Sequence, residues 1–418
     1  MKILWIVNTI FPAPSKFLGL EVPVVGGWMY GMSEKLSANQ NYKLAVACIY
    51  EGSQLKNIKI DNTIYFLLPC KDKSKYDKNL ESAWQQVNDE FCADIVHIHG
   101  TEYAHGLSCM RQLPHLNYVV SIQGLKTVYY RYYYGGISLL DIIKNLTLRD
   151  FVKRDSLFQQ KQKFKKHSIL EKEYLKRTKN IIGRTDWDFA HSKVINPKAN
   201  YHFCNESLRS NFYTSKKWSL NTCSTHSIFL SQSAYPIKGL HQVIKAVAHL
   251  KYSFPNIKVR VGGNNIVKNT TFKDRLRISG YGNYINGLLK QYNLKENVIF
   301  LGRLTEKEMI NEYLNAHVFV CPSVIENSPN SLGEAQILGV PTISSYAGGV
   351  PEMTENGDAG LLYRFEEIEM LSNCIFQIFN IDSLAIELSK KGIKIAEFRH
   401  DRDINVETIN NIYTFIHE

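Results

Sequence analysis

The chain has 418 residues, too many for one comfortable hydrophobic core, which favours two domains of about 200 residues each. Hydrophobic residues make up 44% of it and charged residues 21%, as in an ordinary globular protein, and no apolar run has the length of a membrane span. The eight cysteines are scattered, which argues against a zinc or disulfide framework and favours reduced thiols in a cytoplasmic protein.

The net charge of +11 lies entirely in the first half of the chain. Residues 1–220 carry 31 Lys and Arg against 19 Asp and Glu, whereas residues 221–418 carry 19 against 20. The excess is greatest in residues 129–179, where a run of tyrosines precedes a lysine-rich stretch. Such a segment is either a solvated helical face or a docking surface for an anionic membrane. No nucleic-acid-binding motif accompanies the charge.

The first half alternates strands and helices in the manner of a parallel α/β domain. Lys2 to Asn8 reads as a first strand rather than a signal peptide, because its apolar run is short and no cleavage site follows. Gly26 and Gly27 then open a predicted helix, and a glycine pair there lets backbone N–H groups approach a diphosphate closely. The dinucleotide fingerprint G-x-G-x-x-G is absent.

Two further predicted strands of this half end in polar residues. His97 and His99 lie on one face of the strand ADIVHIHG, where they line the core or a cleft, or hold a metal for which no third ligand is near in sequence. His99 is at the carboxyl end, where parallel sheets place ligand contacts. The next strand ends at Gln123, whose amide can hydrogen-bond a hydroxyl but cannot act as acid or base near pH 7.

Composition divides the chain into four segments. We expect an N-terminal domain over residues 1–213, a polar linker over 214–225 and a second α/β domain over 226–400. Residues 401–418 are expected to form a C-terminal helix, and the family resemblance described below implies that it crosses back to the first domain.

The second domain contains the stretch around which the chemistry is organised. The apolar run HVFVCPS predicts a buried strand, and Ser331 to Leu338 predicts a helix that stops at Gly339. Glu326 lies in the loop between them and Glu334 on the helix. The helix N-terminus suits a phosphate, and two carboxylates beside it suit hydroxyl groups, so a nucleotide-sugar is the ligand that fits both.

This stretch resembles the donor half of the retaining glycosyltransferases of family 4, which have the GT-B fold. The resemblance rests on the E-x7-E spacing of Glu326 and Glu334, with CPS before it, EAQILGVP after it and SSYAGGVPE at residues 344–352. It implies two Rossmann-like domains facing an interdomain cleft.

The resemblance also implies roles for individual residues. Glu326 would bind sugar hydroxyls and stabilise the cationic ring of the transition state, and Glu334 would hold the ribose diol. Lys238 and the backbone N–H groups of Asn330 and Ser331 would receive the diphosphate. On these roles, Glu326→Ala is expected to fold normally and to lose transfer.

The remaining implied contacts include two departures from the family pattern. Gly26 and Gly27 would close over the diphosphate, and the loop holding Arg303 and Leu304 would lie beside the base. Many relatives have a histidine at the position of Gln123, and they usually have an arginine at that of Gln232, which would clamp the diphosphate with Lys238. Arg303 is our candidate to replace that arginine.

The implied activity is transfer of a sugar, with retention, from a nucleoside-diphosphate sugar to a hydroxyl. UDP is the expected nucleotide, and no metal or other cofactor is required. The acceptor is expected to be a glycan or lipid-linked glycan of surface polysaccharide or lipopolysaccharide synthesis, handled in the cytoplasm or peripherally at the inner membrane. Two alternatives stay open. One is a GT-B UDP-sugar epimerase. The other is a non-catalytic sugar-nucleotide-binding protein, an alternative that is favoured by the departures from the family pattern at Gln123 and Gln232.

Overall fold

The computed structural model describes residues 1–22, 27–70 and 76–418, which form two compact units. Unit 1 comprises Met1–Thr127, Lys165–Ser210 and Arg399–Glu418, and unit 2 comprises Val128–Phe164 and Asn211–Phe398. Each unit is built on one largely or wholly parallel sheet with helices connecting its strands. The predicted fold class, two Rossmann-like α/β domains, is confirmed.

The sheet of unit 1 has the strand order β3-β4-β2-β1-β5-β6-β7-β8 and is parallel except for the pairing of β3 with β4. Its central strands are runs of apolar residues buried on both faces, which is the pattern of a parallel sheet covered by helices. The strands are β1 (Lys2–Ile6), β2 (Lys43–Tyr50), β3 (Lys56–Ile60), β4 (Thr63–Pro69), β5 (Ile95–His99), β6 (Tyr118–Ser121), β7 (Asn180–Gly183) and β8 (Asn200–Phe203).

The sheet of unit 2 is parallel throughout, with the order β11-β10-β9-β12-β13-β14. The chain runs outward from β9 in one direction and then continues on its other side from β12. The loops that follow β9 and β12 therefore flank a topological switch point, where open α/β sheets bind ligands. The strands are β9 (Ser224–Leu230), β10 (Lys258–Gly262), β11 (Val298–Gly302), β12 (Ala316–Cys321), β13 (Thr342–Ser345) and β14 (Leu361–Tyr363).

Helices connect these strands along the whole chain. Short 3-10 turns occur at Tyr130–Tyr132, Pro236–Lys238 and Glu355–Gly357. The α-helices are α1 (Pro12–Phe17), α2 (Gly27–Ala38), α3 (Leu80–Phe91), α4 (His105–Gln112), α5 (Lys126–Tyr129), α6 (Leu139–Lys144), α7 (Leu148–Lys153), α8 (Leu157–Arg177), α9 (Asp186–Ile195), α10 (Ser210–Thr214), α11 (Leu240–Leu250), α12 (Phe272–Arg277), α13 (Gly280–Gln291), α14 (Glu306–Asn315), α15 (Asn330–Leu338), α16 (Val350–Met353), α17 (Ile368–Asn380), α18 (Asp382–Arg399) and α19 (Arg402–His417). Within the described residues, none of these helices combines the length and apolar character that a membrane span requires.

The last helix, α19, belongs to unit 1 and is fixed there by buried hydrogen bonds. The Tyr413 hydroxyl lies 2.8 Å from Nε1 of Trp5, which donates to it, and 2.6 Å from Nδ1 of His97. The other ring nitrogen of His97 lies 2.6 Å from Oγ of Ser121. This buried chain of polar groups therefore ties α19 to β1, β5 and β6.

The structure groups residues 128–164 with unit 2. The sequence instead predicts that every residue up to 213 belongs to the N-terminal domain. The Nε2 atom of His241 on α11 lies 2.7 Å from the carbonyl oxygen of Gly135. The Gly280 N–H donates to Asp150 Oδ2 over 3.0 Å, and Thr147 Oγ1 donates to the carbonyl of Ile278 over 2.9 Å. These long-range hydrogen bonds cannot be anticipated from the local sequence.

The predicted linker, residues 214–225, also packs on unit 2. Trp218 is buried, its backbone N–H donates to the carbonyl of Leu338 over 2.7 Å, and its Nε1 donates to the carbonyl of Ala316 over 2.8 Å. The chain passes between the units four times, after Thr127, Phe164, Ser210 and Phe398, so none of these crossings lies within residues 214–225. The polar composition that suggested a free linker therefore belongs to a segment anchored by one tryptophan.

We predict that unit 2 loses stability as the pH falls from about 6.5 to 4.5. Burial lowers the pKa of His241 to about 3 and that of His317 to about 4. Below the ordinary pKa of 6.5, the unfolded chain binds protons on these histidines that the folded unit does not bind. Each histidine therefore lowers the free energy of unfolding by about 1.4 kcal/mol for every unit by which the pH falls. Amide hydrogen exchange of α11 at pH 7 and pH 5, corrected for intrinsic rates, measures this loss.

Two variants serve as controls for this prediction. His241→Gln keeps a donor for the carbonyl of Gly135 and should weaken the pH dependence, because one of the histidines whose pKa burial lowers is gone. His115→Asn changes an exposed histidine of unit 1 and should leave the dependence unchanged. Protection of α11 that stays constant between the two pH values would contradict the prediction.

Candidate active site

The loops at the switch point of unit 2 bring Lys238 and Glu326 together. Lys238 ends the 3-10 turn after β9, and Glu326 lies in the loop between β12 and α15. The Lys238 ammonium contacts Oε1 of Glu326, and the Ser323 hydroxyl donates to the same oxygen over 2.8 Å. Two candidates that are 88 positions apart in sequence therefore form one ion pair.

This ion pair is almost completely withdrawn from solvent. The Lys238 side chain is 12% exposed and that of Glu326 is 10% exposed. Burial acts to lower the pKa of Lys238, but the charge of Glu326 and the hydrogen bond to it outweigh burial and raise that pKa. Lys238 therefore stays charged over the whole physiological pH range. The pair therefore keeps the Lys238 ammonium charged and fixed in position beside the Glu326 carboxylate, at the carboxyl edge of the sheet.

Two glycines allow the neighbouring loops to approach the Glu326 loop closely. Gly239 has φ +71°, and a Cβ atom there would lie 1.8 Å from the carbonyl oxygen of Pro322. Gly348 has φ +58°, and a Cβ atom there would lie 1.7 Å from the carbonyl oxygen of Glu326. Both positions therefore require glycine for two reasons, the left-handed backbone and the lack of space.

Backbone hydrogen bonds hold the Glu326 loop from both sides. The Val324 N–H donates to the carbonyl of Ile237 over 2.9 Å, and the Gly349 N–H donates to the carbonyl of Glu326 over 3.2 Å. The Ser345 hydroxyl donates to the carbonyl of Ser323. The loops after β9 and β13 thus fix the position of the Glu326 carboxylate before any ligand binds.

Helix α15 begins at Asn330, directly after this loop, and places Asn330 and Ser331 in its first turn. Its N-cap residue is Pro329, which offers no side-chain capping hydrogen bond, and the first turn contains no acidic residue. The positive end of the helix dipole is therefore not neutralised by its own sequence. This is the arrangement in which backbone N–H groups bind phosphate.

Glu334 lies one turn further along α15 and is buried. The hydroxyl of Tyr313, on α14, lies 3.3 Å from Glu334 Oε2 and donates to the carbonyl of Ser331 over 2.9 Å. Tyr313 was not among the predicted site residues, although it fixes both the first turn of α15 and the Glu334 carboxylate. The sequence carries no signal for it, because it comes from a different helix.

The other donor-side candidates lie after the carboxyl ends of neighbouring strands. Gln232 follows β9 and is exposed, while Leu304 follows β11 and packs near Gly262 at the end of β10. Arg303 is exposed, and its Nε donates to Oδ1 of Asn264 over 3.4 Å. The structure therefore directs Arg303 towards the loop after β10.

In unit 1 the predicted residues occupy the carboxyl edge of the sheet or the core beneath it. Gly26 lies outside the described residues, and Gly27 begins α2. His99 is buried, with its ring centroid 3.8 Å from that of His97 and 4.3 Å from that of Trp5. Burial lowers the pKa of His99 to about 3, so the ring is neutral and part of an aromatic stack. The described residues contain no group of three or more side chains able to hold a metal ion.

Gln123 belongs to a buried polar network at the same edge. Its Nε2 donates to Glu206 Oε1 over 2.7 Å, and Arg184 pairs with the other carboxylate oxygen of Glu206 over 2.7 Å. Arg184 also donates to the carbonyl of Gln123 over 2.9 Å. Sequence reasoning missed Arg184 and Glu206 as partners of Gln123, because each follows a different strand of the sheet.

Glu171 holds the start of α5 at this edge and was also missed. Its carboxylate accepts hydrogen bonds from the N–H groups of Lys126 and Thr127 and from the Thr101 hydroxyl, over 2.7 to 3.0 Å. Burial outweighs these hydrogen bonds and raises its pKa to about 7. Every one of these partners lies within unit 1, so the carboxylate has a structural role there.

Comparison with known proteins gives three kinds of match. The family described as glycosyl transferases group 1 matches residues 215–395. A putative colanic acid biosynthesis glycosyltransferase, WcaL, of Salmonella typhimurium is 26% identical over 181 residues, covering 41% of this chain and 40% of the relative. A GDP-mannose-dependent mannosyltransferase of Corynebacterium glutamicum is 27% identical over 199 residues, covering 46% and 48%.

Solved structures match the whole fold at low identity. Sucrose-phosphate synthase from Thermosynechococcus elongatus has a TM-score of 0.73 at 15% identity, covering 100% of this chain and 99% of the other. Anabaena HepE in complex with UDP-glucose has a TM-score of 0.67 at 14% identity, covering 99% of each chain.

The sequence matches to the curated relatives span less than half of their length. The family match, residues 215–395, covers the part of the chain that holds Lys238, Glu326 and α15. Residues 215–395 therefore resemble the glycosyl transferases group 1 family, and the chain as a whole has the GT-B fold.

Proposed function

We propose that this protein is a retaining glycosyltransferase that moves a sugar from a nucleoside-diphosphate sugar to a hydroxyl of a glycan or lipid-linked glycan. The observation that carries the proposal is the buried ion pair of Lys238 and Glu326 beside the start of α15. At the switch point of unit 2, the ion pair presents a fixed cation and a carboxylate, and the start of α15 presents backbone N–H donors. A diphosphate flanked by polyols has the complementary chemistry.

Lys238 and the first turn of α15, at Asn330 and Ser331, would bind the diphosphate. Glu326 would accept hydrogen bonds from sugar hydroxyls and stabilise the positive charge that develops on the ring. Glu334 would accept hydrogen bonds from the ribose diol. These groups are held in place without a ligand, so little reorganisation is needed when the substrate binds.

The proposed reaction exchanges one bond of the anomeric carbon for another. The bond from the anomeric carbon to the phosphate oxygen breaks, and a bond to the acceptor oxygen forms on the same face of the sugar. The acceptor proton passes to the departing phosphate oxygen, and the nucleoside diphosphate leaves with its charge stabilised by Lys238. No side-chain base is required, so glutamine at position 123 is compatible with the mechanism.

A metal ion would stabilise the negative charge of the diphosphate, and here the Lys238 ammonium and the dipole of α15 would stabilise it instead. We therefore propose that catalysis is metal-independent. UDP is the proposed nucleotide, because proteins of the same fold have been solved with UDP and UDP-glucose. The GDP-mannose dependence of the Corynebacterium relative makes GDP the alternative to be tested.

Relatives named for colanic acid and capsular polysaccharide synthesis support a surface polysaccharide, or lipopolysaccharide, as the product. The cytoplasm is the proposed compartment, since all eight cysteines are free thiols.

The donor is identified by NMR of the protein with UDP- and GDP-sugars in EDTA. Slow release of a nucleoside diphosphate from one sugar nucleotide is the expected result. An epimerised donor would instead identify an epimerase. Binding of a nucleotide without turnover, with or without extracted cell glycans as acceptor, would identify a binding protein and contradict the proposal.

We predict that Glu326→Gln lowers turnover of that donor by about 10²- to 10³-fold, because a neutral amide stabilises the cationic transition state poorly. Glutamine is preferable to alanine here, since alanine would leave Lys238 buried and unpaired, at a cost of about 3–5 kcal/mol. Glu366→Gln alters a carboxylate that is 63% exposed and is the matched control. Equal turnover of Glu326→Gln and the control would contradict the assignment.

We predict further that Gly348→Ala lowers turnover, because its methyl group would displace the carbonyl of Glu326. Gly357→Ala is the control, since Gly357 also has a positive φ, +107°, and the nearest atom to its Cβ position is 3.9 Å away, an ordinary contact. The control separates the cost of backbone strain from the displacement of the loop. Equal rates for the two variants, measured with the same donor, would show that the close approach is not needed.

A further inference from the structure

Helices α6 and α7 of unit 2 turn their apolar faces towards solvent. On α6 the exposed fractions are 57% for Leu139, 69% for Leu140 and 55% for Ile143. On α7 the exposed apolar side chains are Leu148, Phe151 and Val152, at 63%, 68% and 75%. Each set follows helical i, i+3, i+4 spacing and so lies on one side of its helix.

Two polar residues in and next to these helices, Asp150 and Asn145, face the domain instead. Asp150 is buried on α7 and accepts a hydrogen bond from the N–H of Gly280, which begins α13. Asn145 follows α6, and its Oδ1 accepts from Nδ2 of Asn283 over 3.1 Å. An ordinary surface helix has the reverse arrangement, with apolar residues inward and polar residues outward.

Helix α12, which lies beside α7, extends this surface. Phe272 and Leu276 are one turn apart on it and are 76% and 43% exposed. Between and after them come the exposed side chains of Lys273, Arg275 and Arg277. We call the exposed apolar residues of α6, α7 and α12, with the basic residues among them, the apolar–basic face.

The charge exposed on the apolar–basic face is predominantly positive. Lys144, Lys153 and Arg154 are exposed at the ends of α6 and α7. Of the acidic residues of these two helices, Asp150 is buried, and Asp141 is partly buried and accepts a hydrogen bond from the Ser138 hydroxyl at the start of α6. On α12, Asp274 accepts hydrogen bonds from Thr270 and Thr271.

We propose that the apolar–basic face docks this protein on an anionic lipid bilayer, with the apolar side chains of α6 and α7 entering the interfacial region. Stable but reversible membrane attachment requires two signals, and this face has both, apolar side chains for the acyl boundary and basic residues for anionic headgroups. A second copy of the chain fits less well, because it would oppose two positively charged faces. The inference does not depend on the transferase activity.

Vesicle flotation tests the proposal with the full chain. Vesicles of phosphatidylcholine alone should bind little protein, and vesicles that also contain phosphatidylglycerol should bind much more, with binding that weakens as salt rises. The double variant Leu140→Gln with Phe151→Gln should lower partitioning by about tenfold or more. Lys144→Gln with Lys153→Gln should remove most of the preference for the anionic lipid.

Matched controls use equally exposed residues outside the apolar–basic face. Phe398→Gln with Val194→Gln changes side chains that are 77% and 85% exposed, and Lys390→Gln with Lys394→Gln changes two exposed lysines. Both control pairs should float as the unchanged protein does, and circular dichroism should show the same fold for every variant.

Three outcomes would overturn the proposal. They are no flotation with anionic vesicles at low salt, equal flotation of the apolar variant and its control, or a self-association without lipid that the apolar variant abolishes. Because no sugar nucleotide enters this assay, its failure is distinguishable from failure of the proposed activity.

Discussion

The site depends on one buried ion pair. Removing an ammonium and a carboxylate from water is costly, and their mutual attraction repays that cost only with good geometry and additional hydrogen bonds. Lys238 and Glu326 meet this condition, with Ser323 as a third partner and both side chains nearly excluded from solvent. Such a pair is weak evidence for a role in stability. Its position at the switch point of unit 2 gives it a function, a preformed cation and carboxylate at the edge where a ligand binds.

The rest of the local structure positions this pair. Gly239 and Gly348 let the loops after β9 and β13 reach the backbone of the Glu326 loop, and backbone hydrogen bonds fix that loop on both sides. Helix α15 starts immediately afterwards, at an N-cap proline that offers no side-chain capping hydrogen bond. Fold and chemistry are therefore linked through short loops at the ends of parallel strands, and the sheet order decides which loops meet.

Much of this arrangement could be predicted from the sequence. Strand β12, α15 and the placement of Glu326, Glu334 and Lys238 follow from an apolar run, a glycine stop and a resemblance carried by about forty residues. The Arg184–Glu206–Gln123 network could not be predicted, because its members follow different strands and meet only through the strand order. The same holds for Tyr313, which reaches Glu334 from another helix.

The segment 128–164 shows a second limit of sequence reasoning. Most apolar residues of its helices α6 and α7 have the spacing of core helices, yet the structure exposes them and buries Asp150. Hydrogen bonds to Gly280 and Ile278, more than a hundred positions away in the chain, determine which face points inward. Local periodicity indicates that a helix is amphipathic, but it does not indicate which side faces the protein.

The measurement that tests the central claim most directly is calorimetric titration of UDP and GDP, in EDTA, into the unchanged protein, Lys238→Gln and Lys390→Gln. The account predicts that one nucleotide binds without metal and that Lys238→Gln weakens binding by about 10- to 100-fold, the worth of one charge-assisted hydrogen bond. Lys390→Gln, on the surface of α18, should bind as the unchanged protein does. Binding that Lys238→Gln leaves intact, or no binding of either nucleotide, would contradict the assignment of this ion pair to a diphosphate site.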